Sequence, residues 1–208
     1  KSGLLNFSLF TYHFLLPQEK WEWNVKIAII GGTGPEGSGL GFRWADSGHE
    51  VIIGSRQAEK GERVAAELLE NRPDLSIWGT DNGTAVSQCD VAVLAVPYTA
   101  QAATLESVKE HLNGKLLITV VAPTGEKKAR VLRLESGLSS AEEAQQQLGD
   151  SVRVVAAFQN IGAHHLRYLD YEMDCDVLVC GQKAADKEIA IQLAHDAGMR
   201  GINAGALQ

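Results

Sequence analysis

The stretch Val25-Lys26-Ile27-Ala28-Ile29-Ile30-Gly31-Gly32-Thr33-Gly34-Pro35-Glu36-Gly37-Ser38 constrains the fold more than any other part of the chain. Its β-branched apolar run does not alternate with polar residues, so it reads as a strand buried on both faces, the habit of parallel sheets. The strand ends at a glycine cluster in which Gly32, Gly34 and Gly37 spell G-x-G-x-x-G. That spacing serves a chain that must turn tightly, bring its backbone against a pyrophosphate and then pack a helix closely on a strand. The turn and the approach fall to Gly32 and Gly34, and the packing to Gly37. A helix beginning near Ser38 would aim unpaired amides and the positive end of its dipole at the anion. Gly32, Thr33, Gly34, Pro35, Glu36 and Gly37 are therefore the first candidate cofactor-binding residues.

The next two elements complete a β-α-β unit. Residues 38–47 read as a helix with Leu40 and Trp44 on one face and Gly48 as its C-terminal cap, and residues 50–53 as a second strand. A domain selective for NAD carries a carboxylate about 20 positions beyond the glycines, where it binds the ribose 2′-hydroxyl. Here that place holds Gly54-Ser55-Arg56. A hydroxyl and a guanidinium suit a 2′-phosphate, and Lys60 lies one helical turn further on the same side, so the expected cofactor is NADP.

Further along, residues 59–71 read as the second crossover helix, 76–78 as a short third strand and 82–88 as a short helix capped by Asn82 or Thr84. Residues 90–97 form a second buried strand. Ligands in open α/β sheets bind outside the carboxyl ends of strands, which puts Val96, Pro97 and Tyr98 in the cofactor cleft. A helix over 99–111 and a strand over 115–120 continue the alternation. Residues 125–137 read as a long surface loop over the cleft. Ser139 or Ser140 caps a helix running to Leu148, with Glu142 or Glu143 as capping-box partner. A strand over 152–157 leads into a polar loop, 158–165, rich in amides and imidazoles. A strand over 176–181, a helix over 184–197 and a strand over 200–204 close the pattern. The fold class is α/β: a Rossmann-like, doubly wound, mostly parallel sheet with helices on both faces.

The formal charge of −7 argues against a nucleic-acid partner or an anionic membrane surface, so positive patches should be local and ligand-directed. Three cysteines, Cys89, Cys175 and Cys180, lack C-x-x-C spacing and read as reduced core thiols of a cytoplasmic protein, with no metal site and no thiol nucleophile. The first methionine is Met173, so the chain reads as a fragment or as one that begins upstream of its true start. Residues 1–24 read as an N-terminal extension outside the fold, and residues 25–208 as one NADP-binding domain. The apolar stretch within 4–16 is interrupted by polar residues and too short to span a bilayer.

Ile29-Ile30-Gly31-Gly32-Thr33-Gly34-x-x-Gly37, together with Gly48-His49-Glu50-Val51-Ile52-Ile53-Gly54-Ser55-Arg56, resembles the NADPH-dependent reductases of the deazaflavin coenzyme F420. Weaker agreement continues through Ala95-Val96-Pro97, Val179-Cys180-Gly181 and Ala204-Gly205-Ala206-Leu207. The resemblance implies an oxidoreductase that moves a hydride between nicotinamide C4 and deazaflavin C5, in a homodimer. It implies that Thr33 and the glycine turn hold pyrophosphate, that Ser55, Arg56 and Lys60 hold the 2′-phosphate, and that Val96 and Pro97 lie beside the nicotinamide. It sets the loop with Asn160 and His164 along the deazaflavin. The family's C-terminal helical segment, which closes the deazaflavin site and pairs the subunits, is expected to be missing here. Glu36 departs from the ideal: its charge at the helix start would repel phosphate unless it turns outward to solvent.

Hydride transfer between two oriented rings needs no general base, and no catalytic residue is assigned. An NADP-dependent reductase of another acceptor (an imine, a carbonyl or a chelated metal ion) is the alternative enzyme, with Tyr98 as its nearest proton donor. A non-catalytic NADP-sensing module is the alternative from another class.

Overall fold

The computed structural model describes residues 23–124 and 131–207. The expected extension thus lies outside the described residues up to Glu22, as does the first part of the loop expected over the cleft. Trp23 is already in contact with the fold: its ring meets that of His49 edge-on, 5.6 Å between centroids.

Eight strands form one sheet in the order β3-β2-β1-β4-β5-β6-β7-β8. They are β1 Lys26–Ile30, β2 Glu50–Ser55, β3 Ile77–Asp81, β4 Val91–Leu94, β5 Leu116–Thr119, β6 Arg153–Ala156, β7 Asp176–Gly181 and β8 Arg200–Gly205. The helices are α1 Pro35–Asp46, α2 Ala58–Leu69, α3 Asn82–Ser87, α4 Tyr98–Val108, α5 Ser140–Leu148 and α6 Ala184–Asp196. Pleating sends alternate residues to opposite faces. Ile27 and Ile29 of β1 join Leu40, Trp44, Val64, Leu68 and Leu193 under α1, α2 and α6. Ala28 and Ile30 join Ala85, Val86, Leu105, Val108 and Leu148 under α3, α4 and α5. β1 is buried from Ile27 to Ile30 because it is covered twice.

Every strand pair is parallel except β6 with β7. A parallel return needs a crossover, usually a helix. Between β6 and β7 the chain offers only one 3-10 turn, Ala163–His165. It therefore folds back over the carboxyl edge of the sheet and comes down antiparallel. Only Val155↔Gly181 and Ala156↔Cys180 join the two strands. The last β-α-β unit is held by other means as well: Trp44 Nε1 donates to the Leu193 carbonyl at 2.8 Å, and His49 Nε2 lies 2.9 Å from Asp196 Oδ2.

Local differences from the sequence-based expectation have physical causes. α1 starts at Pro35, three residues before Ser38, because proline's fixed φ and missing N–H suit the first helical position. Gly48 takes the left-handed conformation at φ +103°, and its N–H donates to the Ala45 carbonyl, as a helix stop requires. β3 extends to Asp81, which puts Asp81 rather than Asn82 or Thr84 at the start of α3, where its carboxylate accepts from Thr84 N at 2.9 Å. The α5 box is formed by Ser139 and Glu142. The helix expected over 99–111 is α4 followed by a 3-10 turn, Lys109–Leu112.

Candidate dinucleotide site

The strand order reverses direction between β1 and β4, and a cleft of about 920 Å³ opens beyond their carboxyl ends. Its floor is the glycine turn. Gly31 has φ +73°, and a Cβ there would stand 2.3 Å from Val96 Cγ1, so this position, one before the motif, demands glycine on conformation as well as space. Gly32 N donates to the Ile29 and Gly54 carbonyls at 3.0 and 2.9 Å, which closes the turn against both strands. A Cβ on Gly37 would sit 2.9 Å from Gly32 Cα and 3.1 Å from Ala95 Cβ, the close helix–strand approach expected of it. Gly34 differs: it lines the cleft, and a Cβ on it would meet nothing within 4 Å.

Pro35 has no N–H, so the free donors of the first turn of α1 are the amides of Glu36 and Gly37. Asn82 sets the turn from behind, its Oδ1 accepting from Gly31 N at 3.1 Å. Local sequence marks Asn82 only as a cap; its contact with the turn comes from a strand pairing that no local pattern reveals.

At the end of β2, Ser55, Arg56 and Lys60 come together on the cleft, joined by Gln57. Ser55 is buried and its hydroxyl accepts from Gln57 N at 3.4 Å, while Arg56 and Lys60 are exposed. Among the described residues neither cation is in an ion pair. Asp81 stands opposite Ser55 in register, but its carboxylate is committed to α3, whose Thr84 holds it below the usual carboxylate range. The start of α2 has no side-chain cap, which leaves helix amides beside the two cations. Val96 and Pro97 form the opposite wall with Ala100, Ala103 and Thr104 of α4.

Three expected contributors are placed otherwise. Tyr98 does not line the cleft; its hydroxyl donates to Glu143 Oε2 at 2.8 Å, and that bond raises the phenol's pKa above its ordinary value. Asn160 donates from Nδ2 to the Asp176 carbonyl at 2.8 Å. His164 is exposed with its ring centroid 3.9 Å from that of His165, which stacks in turn on Tyr171 at 4.1 Å. These two belong to the segment that folds over the sheet edge after β6, apart from the dinucleotide cleft. Glu36 is half-buried rather than turned outward, and burial pushes its carboxyl up to about 7. Burial thereby favours the neutral carboxyl at the start of α1.

A switch-point cleft, a glycine turn and helix amides at its floor define a dinucleotide-binding Rossmann domain. Residues 26–123 match the family described as NADP oxidoreductase, coenzyme F420-dependent. The F420-dependent NADP reductase of Methanothermobacter marburgensis is 43% identical over 192 residues, covering 88% of this chain and 85% of that protein. The enzyme of the same name from Methanocaldococcus jannaschii is 40% identical over 193 residues, with coverages of 88% and 85%. A crystal structure from Arthrobacter sp. FB24 shares the fold, with TM-score 0.73 at 24% identity over 88% of this chain and 86% of that one. The chain belongs to the F420-dependent NADP oxidoreductase family. Among the described residues no helix is long and apolar enough to cross a membrane.

Proposed function

We propose that the protein transfers a hydride between NADPH and coenzyme F420. The observation that carries the reading is the meeting of Ser55, Arg56 and Lys60 on a switch-point cleft whose floor is the glycine turn. The open space at Gly34 and the free amides of Glu36 and Gly37 fit a pyrophosphate, and the two cations beside the bare start of α2 fit a 2′-phosphate. When both cofactors are bound, the chemistry is a hydride moving from nicotinamide C4 to deazaflavin C5, with one proton taken from solvent.

The chain's own residues bind and orient. Thr33 and the turn hold pyrophosphate, Arg56 and Lys60 answer the 2′-phosphate, and Val96 with Pro97 presents an apolar wall that keeps water from one ring face. The segment with Asn160 and His164 borders the acceptor. Residues 25–208 act as one NADP-binding unit, paired as a homodimer in the cytoplasm. Mixing NADPH with the protein and the deazaflavin under anaerobic conditions should bleach the deazaflavin's visible absorbance, and NADH should do so far more slowly. An unchanged spectrum with NADPH would overturn the reading.

A further inference from the structure

Arg43, on α1, is only 6% exposed and has no carboxylate partner among the described residues. Its guanidinium instead serves backbone carbonyls: Nε donates to Leu166 at 2.9 Å, Nη2 to Tyr168 and Tyr171 at 2.8 and 2.9 Å, and Nη1 to Ala197 at 3.2 Å. Burying an unpaired charge is costly, so the site must return hydrogen bonds that the backbone needs. Three of these carbonyls lie in the segment between β6 and β7, which has no ladder of its own and only one 3-10 turn.

The same segment meets α1 at other points. Its entry residue, Phe158, is the only described non-glycine residue at positive φ, +72°, and its buried ring stands edge-on to Trp44 at 5.7 Å. That conformation costs a bulky residue energy and persists only where the surroundings impose it. Leu166 is fully buried against Gly39, where a Cβ would come within 2.5 Å of the Leu166 Cβ. Arg167 Nη2 donates to Ser38 Oγ at 2.7 Å, and Ser38 Oγ donates to the Gly34 carbonyl at 2.8 Å. One helix therefore carries the dinucleotide turn at its start and the segment after β6 along its length.

We propose that Arg43 is a positioning residue, fastening the acceptor-side segment to the dinucleotide helix so that one rigid element sets the distance between the two rings. The inference rests on the functional reading above, which gives that segment the acceptor. Arg43→Met should release the carbonyls of Leu166, Tyr168 and Tyr171 without touching the glycine turn. The expected result is a KM for the deazaflavin raised roughly tenfold and a kcat lowered by a similar factor, because hydride transfer is sensitive to ring placement, with NADPH affinity unchanged. Arg43→Lys, a point charge unable to fan out to several carbonyls, should lie between.

Hydrogen exchange of the amides over residues 159–172 gives a readout independent of turnover and should accelerate in Arg43→Met. Gly39→Ala, which pushes on Leu166 and leaves the guanidinium alone, decides the matter if Arg43→Met does not fold. Wild-type protein inert toward the deazaflavin, with faster exchange in the variant, would sink the functional reading and keep the fastening. A folded variant with unchanged exchange, or with NADPH and deazaflavin affinities lost in equal measure, would overturn the positioning role.

Discussion

Two glycines three residues apart should separate folding from binding. Gly34 has φ −78° and ψ 164°, a conformation open to any residue, and the space beyond its Cα is empty out to 4 Å. Gly34→Ala should leave stability unchanged or raise it by about 0.4–1 kcal/mol through the unfolded chain. Its methyl occupies the room the pyrophosphate needs, and intruding one carbon into a fitted contact costs about 1–3 kcal/mol, roughly ten- to a hundredfold in Kd. Gly31→Ala should instead act first on the fold. Left-handed strain of about 1–2 kcal/mol adds to an overlap with Val96 Cγ1 at 2.3 Å and the Ala95 carbonyl at 3.0 Å, for a loss of about 2–5 kcal/mol in stability. Urea unfolding and a fluorescence titration with NADPH measure the two effects on the same samples. Native NADPH affinity in Gly34→Ala would show that the turn is structural only and would refute the site.

Arg56→Asp should abolish or invert the preference for NADPH over NADH, since each charge-assisted hydrogen bond lost is worth about 1.5–3 kcal/mol; equal affinity of the wild type for both would remove the argument. Glu36 has a folded pKa of about 7, above its ordinary 4.5, so the fold favours its protonated form. Stability from this group is whole below pH 4.5 and is lost as pH rises through 7, about 1–3 kcal/mol for a group that is not fully buried. Glu36→Gln should therefore be flatter with pH and more stable than wild type at pH 8, as read by urea midpoints at pH 5 and 8. Tyr98→Phe should keep deazaflavin turnover within about twofold, because its hydroxyl is turned to Glu143; a loss of orders of magnitude would assign the phenol to the chemistry.

What the sequence shows clearly is local. The doubly covered strands, the glycine spacing, the basic residues after β2 and the Ser139–Glu142 box each arise from neighbours within a few positions. What it conceals depends on partners far along the chain. Gly79 looks like a strand breaker, yet β3 runs through it because α2 comes so close at Gly61 that a Cβ on Gly79 would meet the Gly61 backbone at 2.1 Å. Tyr98 directly follows the cleft residues Val96 and Pro97 in sequence, yet its hydroxyl is turned to Glu143, 45 residues on, and it does not line the cleft. Arg43 reads as an ordinary helical cation until the Leu166 carbonyl, 123 residues away, is set beside it. The turn needs Gly31 as well as Gly32, because Gly31 sits at positive φ and Val96 leaves no room there for a side chain, which no motif count contains.

The seam between β6 and β7 bears on how the chain is made. With two register pairs across it, the sheet alone barely holds the last β-α-β unit. Much of the attachment passes through residues of the first fifty: Arg43 to the Ala197 carbonyl, Trp44 to the Leu193 carbonyl and His49 to Asp196. On the ribosome, α1 is therefore complete long before the elements that cover its outer side exist. Domains fold as units during synthesis, and contacts this distant in sequence close last. Until residues 158–171 emerge, Trp44 lacks its Phe158 neighbour and the Arg43 guanidinium lacks three of its carbonyls, and until residues 193–197 follow, both stay only partly covered, open to water and to chaperones. The helix that carries the glycine turn should thus be among the earliest parts of the protein to be synthesised and among the last to become rigid.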